Sequence, residues 1–247
     1  MDEVFVSSPY VAEDLRISGF KAKVSYLPLA SDLDNSTRKT TLISRANKEF
    51  DLKSVNNVLV SLGNVRQTKR LDFAIKAMKI VKDRGVKFRY YIIGPGEEIP
   101  NLRKLISRLS LDDDIILLGQ TEDDKMASLI ARADVMLYPS VYDYYGIAKI
   151  ECAGFGVPGI FIKDSFVANE VFDEVNGYVS EDNIQEYADT ITKVLFNRAQ
   201  LKEVSANAYN DLYLTWEQCA DKLVDRIKGI IQEKNKLSVR LKKERSI

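Results

Sequence analysis

The sequence contains no histidine, and this absence excludes several kinds of chemistry. A Ser-His-Asp triad, a Cys-His pair and the common histidine-containing zinc sites all need an imidazole. Only two cysteines are present, Cys152 and Cys219, and both lie in apolar segments of helical period, which is not the pattern of a secreted disulfide scaffold. Any reaction must therefore depend on carboxylates, basic side chains and backbone dipoles, and we expect neither a metal nor a cofactor.

Net charge and long apolar runs are also missing. Lysine plus arginine total 36, as do aspartate plus glutamate, so no overall field attracts the chain to nucleic acid or to an anionic membrane. The N-terminus carries Asp2 and Glu3 where a signal peptide carries lysine. No apolar run approaches the roughly 20 residues of a membrane span. We therefore expect a cytoplasmic protein that binds no nucleic acid.

From about residue 57 the sequence alternates short apolar runs with longer segments of helical period. This alternation predicts an α/β fold, a Rossmann-like parallel sheet with helices on both faces. The predicted strands are Val58–Leu62, Phe88–Ile93, Ile115–Leu118, Val135–Tyr138 and Gly159–Ile162. Apolar residues at helical spacing predict helices within residues 71–81, 102–109, 126–133, 184–194 and 223–231.

The two ends of the chain differ from this pattern. Residues 1–30 are predicted to form a strand-helix-strand segment with a linker, and residues 31–233 the Rossmann-like domain, which opens on a polar stretch from Ser31 to Arg38. Residues 234–247 form a basic, weakly amphipathic tail. Peripheral contact with a membrane is one interpretation of this tail, and a solvated helix end is the other.

The loop after the first strand of the domain runs from Gly63 to Arg70 and contains Arg66 and Lys69. We predict that Thr68 caps the following helix. Cations beside backbone amides at a helix N-terminus are suited to holding a diphosphate, although plain surface cations would give the same sequence. The loop lacks the glycines of a dinucleotide fingerprint and the Gly-Lys-Ser/Thr of a P-loop.

A second loop, after the strand that ends at Tyr138, contains two acids eight positions apart, Asp143 and Glu151. We expect a helix to begin near Gly146, with Asp143 just before it and Glu151 more than one turn inside it. Both carboxylates can then face one crevice, and the glycine leaves the first helical amides open to a phosphate. The alternatives are that Asp143 only caps the helix and that Glu151 is an ordinary paired acid.

This second loop resembles the Glu-x7-Glu motif of the retaining glycosyltransferases of the group-one type, family four, which have the two-Rossmann GT-B architecture. Other segments resemble the family's motifs in the same order: Gly63–Lys69, Ile93–Gly96, Ile115–Gly119 and Glu170–Gly177. The resemblance runs from about Val4 to Leu195. It implies that most of this chain is the C-terminal, donor-binding domain.

The resemblance also implies roles for individual residues. Asp143 would approach the donor sugar, and Glu151 would bind the ribose hydroxyls. The remaining residues would contact the nucleoside diphosphate. Its diphosphate would lie near the loop glycines, the basic side chains and the first helical amides. Its nucleobase would lie near Gly119 and Gln120. The contacting residues are Gly63, Arg66, Lys69, Gly119, Gln120, Tyr145, Gly146 and Ile147.

Three departures from the family pattern stand in these loops. Asp143 replaces a glutamate, Asn64 replaces an arginine whose charge Arg66 would have to supply, and Tyr144 with Tyr145 replaces Gly-Phe. In addition, only the closing strand and helix of the family's acceptor-binding N-terminal domain have counterparts, in residues 4–20. We expect either a fragment or a one-domain member whose acceptor site comes from a partner chain or an oligomer.

The expected function is transfer of a sugar, with retention, from a UDP- or GDP-linked donor to a sugar, lipid or other glycan acceptor. A non-catalytic nucleotide-sugar-binding module, or one subunit of a two-chain transferase, is the main alternative. A sugar-nucleotide epimerase of similar architecture is a further one. Such epimerases need acid and base groups from two halves, and a histidine is often among those groups.

Overall fold

The computed structural model describes residues 3–33 and 39–244. The chain divides into two compact units: a large unit of residues 31–213 and a small unit that joins residues 1–30 to residues 214–247. Most of the predicted polar stretch from Ser31 to Arg38 lies outside the described residues. The division differs from the predicted one at its C-terminal end, because residues 214–233 are grouped with the small unit.

The small unit begins with a strand, a helix and a second strand: β1 (Glu3–Val6), α1 (Pro9–Ile17) and β2 (Lys23–Tyr26). The strands are parallel, with Val4 opposite Val24. The crossover between them is a helix with proline in its first turn, where the missing N–H costs no hydrogen bond. The strand near residue 4, the helix from Pro9 and the strand near residue 24 agree with the sequence-based expectation.

The large unit contains one six-stranded parallel sheet. Its strands are β3 (Val58–Leu62), β4 (Arg89–Ile93), β5 (Ile115–Gly119), β6 (Val135–Tyr138), β7 (Gly159–Ile162) and β8 (Tyr178–Ser180). Their order across the sheet is β5-β4-β3-β6-β7-β8. The Rossmann-like fold is thus confirmed. Strand β8 was not predicted, because its three residues are too few to give a sequence signal.

Helices cover both faces of this sheet. They are α2 (Lys39–Glu49), α3 (Leu71–Asp83), α4 (Ile99–Arg108), α5 (Asp123–Arg132), α6 (Ile147–Gly154), α7 (Ile184–Phe196) and α8 (Arg198–Leu212). Alternate residues of the strands enter two different apolar cores. Leu59 and Tyr90 pack into one core, and Val60 and Tyr91 pack into the other. Burial on both faces explains why the strands read as continuous apolar runs.

The last helix, α9 (Trp216–Glu244), belongs to the small unit. Its Arg226 forms a two-pronged ion pair with Glu3 of β1, at 2.7 Å and 2.5 Å. Hydrogen bonding from Arg226 lowers the pKa of Glu3 to about 2. The predicted basic tail is helical as far as Glu244, and its last three residues lie outside the described residues. None of the described helices is both long enough and apolar enough to traverse a bilayer.

Candidate functional site

The site is built where the strand order of the large unit reverses. Counted from β3, the order of strands is 3-2-1-4-5-6, so β3 and β6 are neighbours whose following connections leave in opposite directions. In open parallel sheets ligands bind at such a point, beyond the carboxyl ends of the strands. The loops that follow β3 and β6 are the two loops that the sequence singled out.

The loop after β3 leads through a short 3₁₀ turn, Gln67–Lys69, into α3. Arg70 stands at the N-cap of α3 with a φ of 52°, in the left-handed region, and makes no side-chain capping bond. The predicted capping role of Thr68 is therefore wrong. The 3₁₀ turn delays the start of α3 to Leu71, so Thr68 lies too far upstream to bond its first amides.

Two close backbone contacts fix this loop against the loop after β4. A Cβ on Gly94 would lie 2.1 Å from the Gly63 carbonyl oxygen, and a Cβ on Gly96 would lie 2.1 Å from that of Val65. The Val65 amide in turn donates to the Pro95 carbonyl over 2.8 Å. The Gly-x-Gly turn is thus needed for packing between the loops. Gly63 itself has a φ of 111° and faces open space.

Lys69, in the loop after β3, and Asp143, in the loop after β6, meet across the topological switch point, which is the place where the strand order reverses. The Lys69 ammonium forms an ion pair with the Asp143 carboxylate, and the Tyr138 hydroxyl donates to the same carboxylate oxygen. The side chains of Lys69 and Asp143 are only 24% and 15% exposed. The other carboxylate oxygen of Asp143 accepts from the amides of Tyr145 and Gly146, at 3.2 Å and 3.5 Å. Two predicted site residues from different loops are therefore brought together.

Hydrogen bonding determines the charge of Asp143. Burial, the largest single influence, acts to raise the pKa of this carboxyl. The hydrogen bonds from Lys69 and Tyr138 and the positive charge of Lys69 together outweigh burial, so the pKa lies below its ordinary value. Asp143 is therefore ionised at neutral pH and holds Lys69 in place.

Gly146 ends the loop and caps α6. Its φ is 58°, and a Cβ there would lie 2.7 Å from a methyl group of Val167. Any other residue would be strained in this conformation and would also clash. The next residue, Ile147, is the first of α6, and the first amides of a helix have no partner inside it. The helix therefore begins with amides that a side chain at position 146 does not cover.

Glu151, in the second turn of α6, is in a different electrostatic state from Asp143. Its side chain is half-buried, and within the described part of the chain it has no hydrogen bond or ion pair. Burial, with a smaller contribution from the negative charge of Asp123, raises the pKa of Glu151. Burial raises the pKa of Tyr138, and the charges of both acids add to this increase, so both carboxylates lie near the same phenol.

The other predicted residues lie further apart. Arg66 approaches Glu97 at 4.0 Å, and it lines a separate pocket of about 290 Å³ between α3 and α4 together with Arg108. Gly119 ends β5 with a φ of 66°, faces open space and is followed by the exposed Gln120. Arg66 does not join Lys69 at Asp143. Tyr145 and Ile147 are both exposed beside Gly146.

The sequence interpretation missed the roles of two polar residues, one at the site and one in the loop before β8. Tyr138 appeared only as the end of an apolar strand, yet its hydroxyl contacts Asp143. Asn176, 1% exposed, accepts from the Phe172 amide at 2.8 Å and donates to the Glu170 carbonyl at 3.2 Å, which shapes the loop before β8. A polar side chain next to glycine, as in Asn176-Gly177, was the available signal.

No cluster of three or more potential metal ligands occurs among residues 3–33 and 39–244.

Comparison with known proteins agrees with this geometry. N-acetyl-alpha-D-glucosaminyl L-malate synthase of Bacillus anthracis is 26% identical over 140 residues, which are 56% of this chain and 36% of the relative. A glycosyltransferase from Rickettsia africae superimposes with a TM-score of 0.79 at 16% identity, over 93% of this chain and 64% of its own.

Anabaena HepE in complex with UDP and glucose gives a TM-score of 0.77 at 17% identity, over 92% of this chain and 63% of its own. The chain thus spans about a third of the curated relative and less than two thirds of either solved chain. Residues 44–211 match the sequence family described as glycosyl transferases group 1. That match covers most of the large unit and both loops of the site, and the chain belongs to the group 1 glycosyl transferases.

Proposed function

We propose that the large unit binds a nucleoside-diphosphate sugar, and that the protein transfers the sugar to an acceptor with retention of anomeric configuration. The observation that carries this proposal is the pairing of Lys69 with Asp143 at the switch point, beside the uncovered start of α6. Membership of the group 1 glycosyl transferases supports the reaction class. The presence of UDP and glucose in the HepE structure supports the ligand class.

In this proposal, the diphosphate takes over Lys69 from Asp143. The ammonium and the first amides of α6, including that of Ile147, then neutralise the charge that develops on the leaving diphosphate. Asp143, released from Lys69, faces the donor sugar. Glu151 accepts hydrogen bonds from the ribose hydroxyls, and Gly119 and Gln120 contact the nucleobase. No side chain acts as a nucleophile, and the leaving phosphate assists the acceptor hydroxyl.

Calorimetric titration tests the ligand class directly. The purified chain is titrated with UDP, GDP and ADP and with the corresponding glucose-linked donors, and we expect one nucleoside diphosphate to bind in the micromolar range. Lys69→Ala should weaken that binding, whereas Lys79→Ala should not, because Lys79 pairs with Asp83 one turn further along α3, away from the loop. Absence of binding to every nucleoside diphosphate would overturn the proposal.

A non-catalytic binding module, or one subunit of a two-chain transferase, is the second candidate. It is favoured by the four hydrogen-bond donors that already engage Asp143. Incubation with radiolabelled donor and glycan or lipid acceptors separates the two functions. Turnover that Glu151→Gln abolishes supports the enzyme, and NMR of the product's anomeric proton tests retention. Tight donor binding without transfer, including without hydrolysis, supports the module.

A further inference from the structure

Three aromatic rings form a contiguous surface beside Asp143, which we name the aromatic platform: Tyr142, Tyr144 and Phe166. The centroid of the Phe166 ring lies 4.6 Å from that of Tyr144 and 5.9 Å from that of Tyr142. Tyr142 and Tyr144 come from the loop after β6, and Phe166 comes from the loop after β7. The Phe166 amide donates to the Val141 carbonyl over 3.1 Å, which ties the two loops together.

The platform is more exposed than folding alone explains. Tyr142 is 74% exposed and Tyr144 is 36% exposed, although each ring has an aromatic neighbour. Single exposed apolar side chains are common on protein surfaces, but a cluster of rings in contact typically marks a binding surface. The platform surrounds Asp143 in the sequence and rises from the carboxyl ends of adjacent strands. Val167, the neighbour of Phe166, packs beside Gly146 at the start of α6, so the platform adjoins the proposed donor site.

We infer that the aromatic platform binds a pyranose ring of the acceptor, an inference that rests on the proposed function. One face of a pyranose presents C–H groups that pack on an aromatic ring, and its edge presents hydroxyls. Tyrosine matches both, because it combines a flat apolar ring with a hydroxyl that donates and accepts. The acceptor hydroxyl would then lie next to the donor sugar at Asp143.

Charge argues for a sugar over a lipid surface. The loop that carries Phe166 also carries Asp164 and Glu170, and Asp143 lies between the two tyrosines. Two lysines lie near the platform in the sequence, and both are paired with carboxylates: Lys149 of α6 with Glu170 at 3.1 Å, and Lys163 with Glu181 at 2.5 Å. Anionic lipid headgroups favour clusters of about four to eight lysines and arginines, and two paired lysines are not such a cluster. The carboxylates near the platform would repel an anionic headgroup, but they would not repel a neutral glycan.

Saturation-transfer NMR of the full chain with maltose and cellobiose, at saturating UDP, tests the inference. We expect one of the disaccharides to bind, and Tyr142→Ala and Tyr144→Ala each to weaken that binding about three- to tenfold. Affinity for UDP should not change. Phe196→Ala is the matched control, because Phe196 is 73% exposed at the end of α7. The nearby Arg198 contacts Asp134 and Asn57 at the amino ends of the strands, away from the loops of the platform.

The outcomes separate this inference from the proposed function. If the chain binds no nucleoside diphosphate, the proposed function fails. If UDP binds but neither disaccharide gives a signal, or both tyrosine variants retain the full disaccharide affinity, the aromatic platform is not an acceptor site. Loss of binding to phosphatidylglycerol vesicles in Tyr142→Ala, with disaccharide binding unchanged, would assign the platform to a membrane and overturn the inference.

Discussion

Replacing Lys69 with methionine removes the charge at the switch point while keeping most of the apolar stem. The Asp143 carboxylate, whose side chain is 15% exposed, then keeps only Tyr138 and two backbone amides as donors. Exposed ion pairs contribute about 0–1 kcal/mol, and removing one partner of a fully buried pair costs about 3–5 kcal/mol. For this partly buried pair we expect a loss of about 2 kcal/mol in the free energy of unfolding.

This loss is measurable by thermal denaturation at pH 7. A domain of this size changes its melting temperature by about 2–4 °C per kcal/mol, so the melting temperature should fall by about 4–8 °C. Lys79→Met, which removes an exposed pair within α3, should change the free energy of unfolding by less than about 0.5 kcal/mol. An equal effect of the two substitutions would refute the assignment of a special role to the Lys69 pair.

The pH dependence follows from the pKa of Asp143, which is lower in the folded chain than the ordinary value of 3.8. A lowered pKa means that the carboxylate stabilises the fold above that ordinary value, and that the stabilisation is lost as the pH falls through the folded-state pKa. Without Lys69 the folded-state pKa rises. The loss of stability that protonation of Asp143 causes in acid should therefore be smaller in Lys69→Met than in the unmodified chain, because the gap between the unfolded-state and folded-state pKa is smaller.

Binding of UDP separates the structural role of the pair from its role in recognition. Lys69→Met should weaken UDP binding about tenfold, because a charge-assisted hydrogen bond to phosphate is gained only after the bond to Asp143 is given up. Asp143→Asn should strengthen UDP binding, since Lys69 is then no longer neutralised. The double variant Lys69→Met/Asp143→Asn should be more stable than Lys69→Met alone, but it should bind UDP no more tightly. Unchanged affinity in Lys69→Met would remove the loop from the site.

Three further predictions concern single residues. Glu151→Gln should leave the fold as stable or slightly more stable, because burial raises the pKa of Glu151 and its carboxylate therefore destabilises the fold above that pKa. Its UDP affinity should be about tenfold lower than that of the unmodified chain. Calorimetry across pH should show UDP affinity falling in mildly acidic solution for the unmodified chain and not for Glu151→Gln. Gly96→Ala should lower the free energy of unfolding, measured by urea denaturation, by about 2 kcal/mol more than Gly85→Ala does. A Cβ on residue 96 would clash with the Val65 carbonyl, whereas a Cβ on residue 85 has open space and only an unfavourable backbone φ. Asn176→Ala should cost about 1–2 kcal/mol by the same assay, because it leaves the part-buried Phe172 amide and Glu170 carbonyl without their side-chain partner.

The sequence predicted the layered architecture because the signals for it are local. Five of the six strands of the large unit are apolar runs of four or five residues, and the predicted helices have one apolar face each. Helices α2 and α8 were missed. The first follows the polar stretch that opens the domain, and it has only two buried residues, Leu42 and Ala46, so its apolar face is weak. The second has a weak apolar face, so its periodicity is hard to detect.

The contacts of the site were beyond prediction from sequence. The motif placed Asp143 and Lys69 in neighbouring loops. Sequence does not show, however, whether two side chains that are 74 positions apart in the chain come into contact. The role of Tyr138 depends on how the loop folds, because the hydroxyl at the end of β6 meets the Asp143 carboxylate only when the loop brings the acid back to the strand. Arg66 was expected to replace the charge missing at Asn64, and it lies near Glu97 instead, because the 3₁₀ turn directs the two cations apart.

The two acids are treated in opposite ways by the fold, and this difference separates their roles. Asp143 has four hydrogen-bond donors and a lowered pKa, so its negative charge is already satisfied without a ligand. Glu151 has a raised pKa and, across the described residues, no partner, so the fold loses stability by holding it half-buried and ionised. A chain tolerates such a cost where an external group supplies the missing hydrogen bonds. Recognition of the nucleoside diphosphate should therefore depend directly on Glu151, whereas Asp143 neutralises Lys69 until the diphosphate displaces it and then faces the donor sugar.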